Sequence, residues 1–141
     1  MDQKQDQEIG ARARALHDEG FNCAQSVLCV VGEELGLSRE LCLALAGGFG
    51  GGLRCGEICG AVSGAVMALG VAAPYTDATD ARAKALTAAQ ARECCGAFRK
   101  EFGALRCQEL VRPQKITCPD YIDFCARWAS DRIRELKEQE K

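Results

Sequence analysis

Apolar residues recur along this chain at three- and four-residue intervals, and strand-like alternation is absent. The pattern predicts a first, polar helix over roughly Gln5 to Glu19, with Ile9, Ala13 and Leu16 as its apolar stripe and Gly20 as its stop. A second helix opens at FNCAQSVLCVVGEELG. Asn22 suits its N-cap and Gln25 follows three residues on, a capping-box arrangement. Val27, Leu28, Val31 and Leu35 give it a core face, and Gly36 ends it. Ser38 caps a third helix, with Leu41, Leu45 and Cys42 predicted to face inward.

A glycine loop from Gly47 to Gly56 precedes a fourth helix, expected over about Glu57 to Ala73 and closed by Pro74. Glycine inside a helix costs ~1 kcal/mol against alanine, so Gly60, Gly64 and Gly70 need a reason. Gly56, Gly60, Gly64 and Ala68 fall every four residues, on one side. That side can lie almost backbone to backbone against another helix, within the chain or across a homodimer. A fifth helix, of mixed charge, is expected near Thr79 to Phe102, with Gly103 as its stop. A short turn or helix follows at CQELV. A last helix starts at TCPDYIDF and runs into the charged segment IRELKEQEK, expected to be solvated. The expectation is an all-α, single-domain bundle of five to six helices over residues 1–141, with the glycine-rich loop before the fourth helix.

Charge and hydropathy exclude several functions. The net charge of −2 gives no electrostatic case for nucleic acid. The uncharged run from Ile58 to Thr76 is mostly Ala and Gly, too weakly hydrophobic for a membrane span, so no membrane insertion is expected. The polar start MDQKQDQEIG lacks the basic-then-apolar pattern of a secretory signal, which points to a cytoplasmic protein. Structural disulfides are rare there, so ten cysteines lean toward metal or redox chemistry.

Position sorts those ten. Cys29, Cys42, Cys94, Cys95 and Cys125 fall inside predicted helices, where a buried thiol stays neutral and inert. Cys23, Cys59, Cys107 and Cys118 fall at predicted helix N-termini. Free N–H groups and the helix dipole favour a thiolate at such places. Cys55 lies in the glycine loop, four residues before Cys59. His17, the one histidine, is expected to be exposed on the first helix, which argues against a Cys–His pair. Glu57 is a candidate proton donor, weighed against an ordinary helix-start carboxylate.

CGAVSG fits a CGAxxG motif. NCAQSVL precedes it, GGFGGG leads into it, and CQEL and CPDY follow. From about Gly20 to Phe124 the chain resembles the C_GCAxxG_C_C family, redox-active proteins named for these spaced cysteines. The resemblance implies four shared cysteines at Cys23, Cys59, Cys107 and Cys118, the set that the helix-terminus argument selects. It sets Cys55 apart as a secondary candidate, with Gly60 and Gly64 beside the motif. The pattern is also similar to the cysteine-rich part of split-Soret cytochromes, for which an iron–sulfur site has been proposed.

Three functions follow as expectations. The first is a four-thiolate site holding an iron–sulfur cluster for electron transfer or redox sensing, with zinc as a lesser option because these four cysteines do not form close ligand pairs. The second is metal-free thiol–disulfide chemistry, with Cys59 attacking and Cys23 or Cys118 resolving. The third is a helical interaction protein with inert core cysteines. The first two imply a redox partner protein whose identity the sequence does not give.

Overall fold

The computed structural model describes residues 3–111 and 118–139. Met1, Asp2, the Thr117 that opens the predicted last helix, and the end of the charged tail at Glu140 and Lys141 lie outside the described residues. Seven α-helices follow in chain order: α1 (Gln3–Asp18), α2 (Cys23–Glu34), α3 (Arg39–Ala46), α4 (Gly60–Ala72), α5 (Ala81–Phe102), α6 (Cys107–Val111) and α7 (Cys118–Gln139). Among the described residues there is no strand, only a lone antiparallel bridge between Ile58 and Arg106. The all-α expectation holds, with seven α-helices and one π-helical turn (Gly52–Gly56) among the described residues rather than five to six helices.

Local chemistry sets the helix starts. The Asn22 side chain accepts from Gln25 N–H at 2.9 Å, and the Gln25 side chain accepts from Asn22 N–H at 3.1 Å, closing the capping box of α2. Ser38 caps α3 by accepting from Leu41 N–H at 3.1 Å, and Asp80 caps α5 by accepting from Ala83 N–H at 3.0 Å.

α2, α4 and α7 form the centre. Val27, Leu28, Ala61, Val62, Ala65, Ile122 and Ala126 are all buried. Phe98 and Phe102 of α5 interlock with Tyr121 and Phe124 of α7 edge-on and tilted, with centroids 4.7–6.2 Å apart. The glycine side of α4 rests on α2 within the chain. A Cβ at Gly64 would lie 2.7 Å from the Ala24 carbonyl oxygen. One at Gly60 would lie 2.8 Å from the Phe49 carbonyl oxygen and 3.3 Å from Cys23 Cβ. Close packing therefore offsets Gly60 and Gly64, whereas a Cβ at Gly70 would meet nothing within 4 Å.

The structure differs from the sequence pattern in four places. α4 starts at Gly60, not near Glu57, so Gly56 lies outside the helix and Cys59 is its N-cap rather than part of its first turn. The preceding loop makes a left-handed turn, with Gly51, Gly52, Leu53 and Arg54 all at φ 60–62°. Such a turn cannot run directly into a right-handed helix. On α3, Cys42 and Ala46 face the core, while Leu41 and Leu45 are 46% and 53% exposed. The helix has eight residues and packs on α2 along one narrow stripe, which Cys42 and Ala46 already fill. The charged end of α7 is not simply solvated: Ile133 and Leu136 are buried, and Arg134 reaches Glu34 at 3.8 Å. Finally, His17 is half-buried rather than exposed, its Nδ1 3.1 Å from the Phe21 carbonyl oxygen.

Candidate redox site

Three separate devices bring helix starts together at one end of the fold. The first is the cap of α2. Asn22 Nδ2 donates to the Gly47 carbonyl at 3.1 Å, which ties the start of α2, and so Cys23, to the end of α3. Gly50 lies against the Asn22 side chain, 2.6 Å from its Cβ to the place where a side chain would begin.

The second is an extended crossing between residues 57–59 and 105–107. Cys59 N–H donates to the Leu105 carbonyl at 2.9 Å, and Cys107 N–H donates to the Glu57 carbonyl at 2.7 Å. Glu57 also pairs with Arg106 at 3.1 Å, so its carboxylate is occupied as an ion-pair partner. The left-handed turn aims this segment. Gly52 is required in it, because a side chain there would run into the backbone of Glu57. Leu53 and Arg54 adopt the same left-handed conformation without that freedom, at a cost of about 1–2 kcal/mol each.

The third is the packing of α1 on α7. Arg14 of α1 reaches Asp123 at 2.7 Å and Asp120 at 3.3 Å, which seats the start of α7, with Cys118, beside His17.

Cys23, Cys107 and Cys118 are thus the first residues of α2, α6 and α7, and Cys59 caps α4. Each of these four lies within electrostatic reach of the other three. Cys23 and Cys118 act on each other most strongly, each being the largest influence on the ionisation of the other.

The four thiols are not equivalent. The hydrogen bond from Cys23, with the charge of His17 and the N–H of Cys118 itself, outweighs burial and brings Cys118 down to about 6. The same hydrogen bond, together with burial and the neighbouring sulfurs, pushes Cys23 far up. Cys23 is therefore the donor and Cys118 the thiolate acceptor. Cys59 departs from the expectation for a helix start. The N–H groups of Ala61 and Val62 do favour its thiolate, but burial prevails and pushes it up to about 12. Cys107 is also raised, mainly by burial. A helix terminus alone is not sufficient to make a thiolate here; a hydrogen-bond donor and partial exposure are needed as well.

No group of three or more His, Cys, Asp or Glu side chains among the described residues is set to hold a metal ion. The donor chemistry of four thiols suits iron–sulfur or zinc, but the side chains as placed do not assemble a ligand set. Cys55 is exposed on the left-handed turn, its thiol donating to the Gly52 carbonyl at 3.6 Å.

The family model described as "Putative redox-active protein (C_GCAxxG_C_C)" matches residues 21–132. The chain belongs to this family. No curated protein and no solved structure matches it. The C_GCAxxG_C_C match takes in all ten cysteines, so membership does not by itself separate the four at the helix starts from the other six. Among the described residues no helix is long and apolar enough to cross a membrane.

Sequence reasoning missed His17 and the 57–59/105–107 crossing. The polar character of the first helix hid His17, since what half-buries it is the packing of α1 on the rest of the fold. The only sequence signal for the crossing is Ile58, an apolar residue just before the motif with no helical partner.

Proposed function

We propose that this family member is a thiol–disulfide redox protein in which Cys118 is the attacking thiolate and Cys23 the resolving thiol. What supports this assignment is the meeting of Cys23 and Cys118 at two helix starts, where their interaction raises one thiol and lowers the other. It replaces Cys59 as the attacking group, because burial holds Cys59 as a thiol at neutral pH.

The Cys118 sulfur attacks one sulfur of a partner protein's disulfide. A Cys118–partner S–S bond forms, the partner's own S–S bond breaks, and a partner thiolate leaves. Cys118 then no longer carries the charge that holds the proton on Cys23, so the largest cause of the upward shift at Cys23 disappears. Cys23 gives its proton to solvent and attacks Cys118. The Cys23–Cys118 bond forms and the partner's second sulfur leaves as a thiolate. The partner disulfide gains two electrons and the dithiol loses two. A cytoplasmic setting, where thiols are kept reduced, suits this direction.

A second reading keeps Cys23, Cys59, Cys107 and Cys118 as ligands of an iron–sulfur cluster used for electron transfer or sensing. The all-sulfur character of the four neighbouring side chains favours it. It requires those side chains to move, since three do not meet as they stand.

One preparation separates the two. The protein is purified anaerobically, iron and acid-labile sulfide are assayed, and the thiol that reacts fastest with Ellman's reagent near pH 7 is mapped. The expected result is no stoichiometric iron and a fast thiol at Cys118. Stoichiometric iron and sulfide, lost in Cys118→Ser, would overturn the thiol–disulfide reading in favour of the cluster.

A further inference from the structure

Two further cysteines meet away from the redox site. Cys29 of α2 and Cys42 of α3 have no exposed surface and lie within electrostatic reach of each other, with Cys42 Sγ packed against Gly32, one turn along α2 from Cys29. Cys29 Sγ also donates to the Arg39 carbonyl oxygen at 3.8 Å. Gly32 makes room for this contact: a Cβ there would lie 2.8 Å from Cys42 Sγ. A hydrophobic filler needs a partner of suitable volume, not a second sulfur held against it.

We propose that Cys29 and Cys42 are a second, buried dithiol that closes to a disulfide and ties α3 covalently to α2. This pair stands apart from the reaction assigned to Cys23 and Cys118, and its test does not depend on that reaction.

The element being tied is a short one. α3 has eight residues and buries little beyond Cys42 and Ala46. Yet it supports the redox site, because the Gln25 side chain donates to the Leu43 carbonyl at 3.0 Å and Asn22 donates to Gly47 at its C-terminal end. A Cys29–Cys42 bond holds these carbonyls in place under the cap of Cys23. The loop it closes also limits the unfolded chain, which stabilises the fold.

The oxidant is a peroxide. The Cys42 thiolate, formed after local opening, takes one peroxide oxygen to become a sulfenic acid, and hydroxide leaves and is protonated to water. The Cys29 sulfur then attacks Cys42, the S–S bond forms, and the sulfenic oxygen leaves as a second water carrying the Cys29 proton. Two thiols lose two electrons and one peroxide gains them. Because both sulfurs are buried, this closure is slower than oxidation at the half-buried Cys118.

The test uses the full chain treated with excess hydrogen peroxide at neutral pH, then denatured, with remaining thiols blocked, and cut with trypsin. Arg39 lies between the two cysteines, so cleavage leaves them on separate peptides. Cys23 shares the peptide of Cys29, and tandem mass spectrometry of the linked pair tells the two apart. The expected product is a Cys29–Cys42 link, lighter by two hydrogen atoms, that is reversed by dithiothreitol. Its formation raises the melting temperature by roughly 5–10 °C, and Cys42→Ala shows no such rise. The proposal is overturned if both thiols remain free to be blocked after the peroxide treatment. Sulfinic acid at either position, or Cys42 linked to a different cysteine, overturns it equally.

Discussion

The side chains of Cys23, at the start of α2, and Cys118, at the start of α7, act on each other so that Cys118 is lowered to about 6 and Cys23 is raised. Two helix starts that are far apart in sequence thus share one proton between two sulfurs. The arrangement makes Cys118 anionic by denying Cys23 its own ionisation.

Cys118 and Cys125 lie two turns apart on the same helix and should behave oppositely. Cys118 is half-buried and lowered to about 6, whereas Cys125 is 1% exposed and raised well above an ordinary thiol by burial and by the neighbouring sulfurs of Cys94 and Cys59. Iodoacetamide should alkylate Cys118 with a rate that climbs through a midpoint near pH 6 and then levels. The fast phase should vanish in Cys118→Ser and persist in Cys125→Ser. The opposite result for the two variants contradicts the assignment of the thiolate.

Cys23→Ala removes the donor and leaves the Cys118 sulfur to His17 and its own backbone N–H. The alkylation midpoint of Cys118 should then move up toward the ordinary thiol value of 9.0. The same variant should accumulate a stable Cys118 mixed disulfide when mixed with oxidised glutathione, because no resolving thiol remains beside it. A midpoint that stays near pH 6 assigns the low value to the helix start alone.

Much of this site was legible in the sequence because helix ends announce themselves. Asn22 with Gln25, and the Pro after Cys118, mark where free N–H groups occur, and Cys23 and Cys118 sit at these places within reach of each other. The ordering of the four thiols was not legible, because it depends on burial and on which side chains face each other. Cys59 has a helix-start position like that of Cys118, but it sits inside the fold with 3% exposure. The exposure of Leu41 and Leu45 beside a buried Cys42 was hidden for a related reason. On a short helix only one narrow stripe is buried, and hydrophobicity alone does not choose which.

Glycines in mid-helix divide by what surrounds them. Gly64 faces the Ala24 carbonyl oxygen at 2.7 Å from a would-be Cβ, so Gly64→Ala should cost about 1–3 kcal/mol by forcing α4 off α2, and Gly64→Leu at least as much. Gly96, in the middle of α5, has nothing within 4 Å of that position, so Gly96→Ala should stabilise by about 0.5–1 kcal/mol through helix propensity. Urea unfolding midpoints of the two variants check both signs. Equal effects would mean that Gly64 is not held against the Ala24 carbonyl.

Stability should depend on pH through these thiols, with opposite slopes on either side of pH 9. Cys118 is lowered from 9.0 to about 6. Between those values the unfolded chain binds a proton at this position that the folded chain does not, so stability rises with pH across the window. The contribution is complete above about pH 9 and is lost as pH falls through about 6. Cys59 and Cys94 are each raised from 9.0 to about 12. Above pH 9 the folded chain keeps protons there that the unfolded chain gives up, so stability falls toward pH 12. Melting temperatures measured under reducing conditions should therefore climb from pH 6 to a maximum near 9 and then decline. Cys118→Ser should flatten the climb while leaving the decline in place, because the buried thiols remain. A climb of unchanged slope in Cys118→Ser would assign it to another group and remove the energetic support for a Cys118 thiolate in the folded protein.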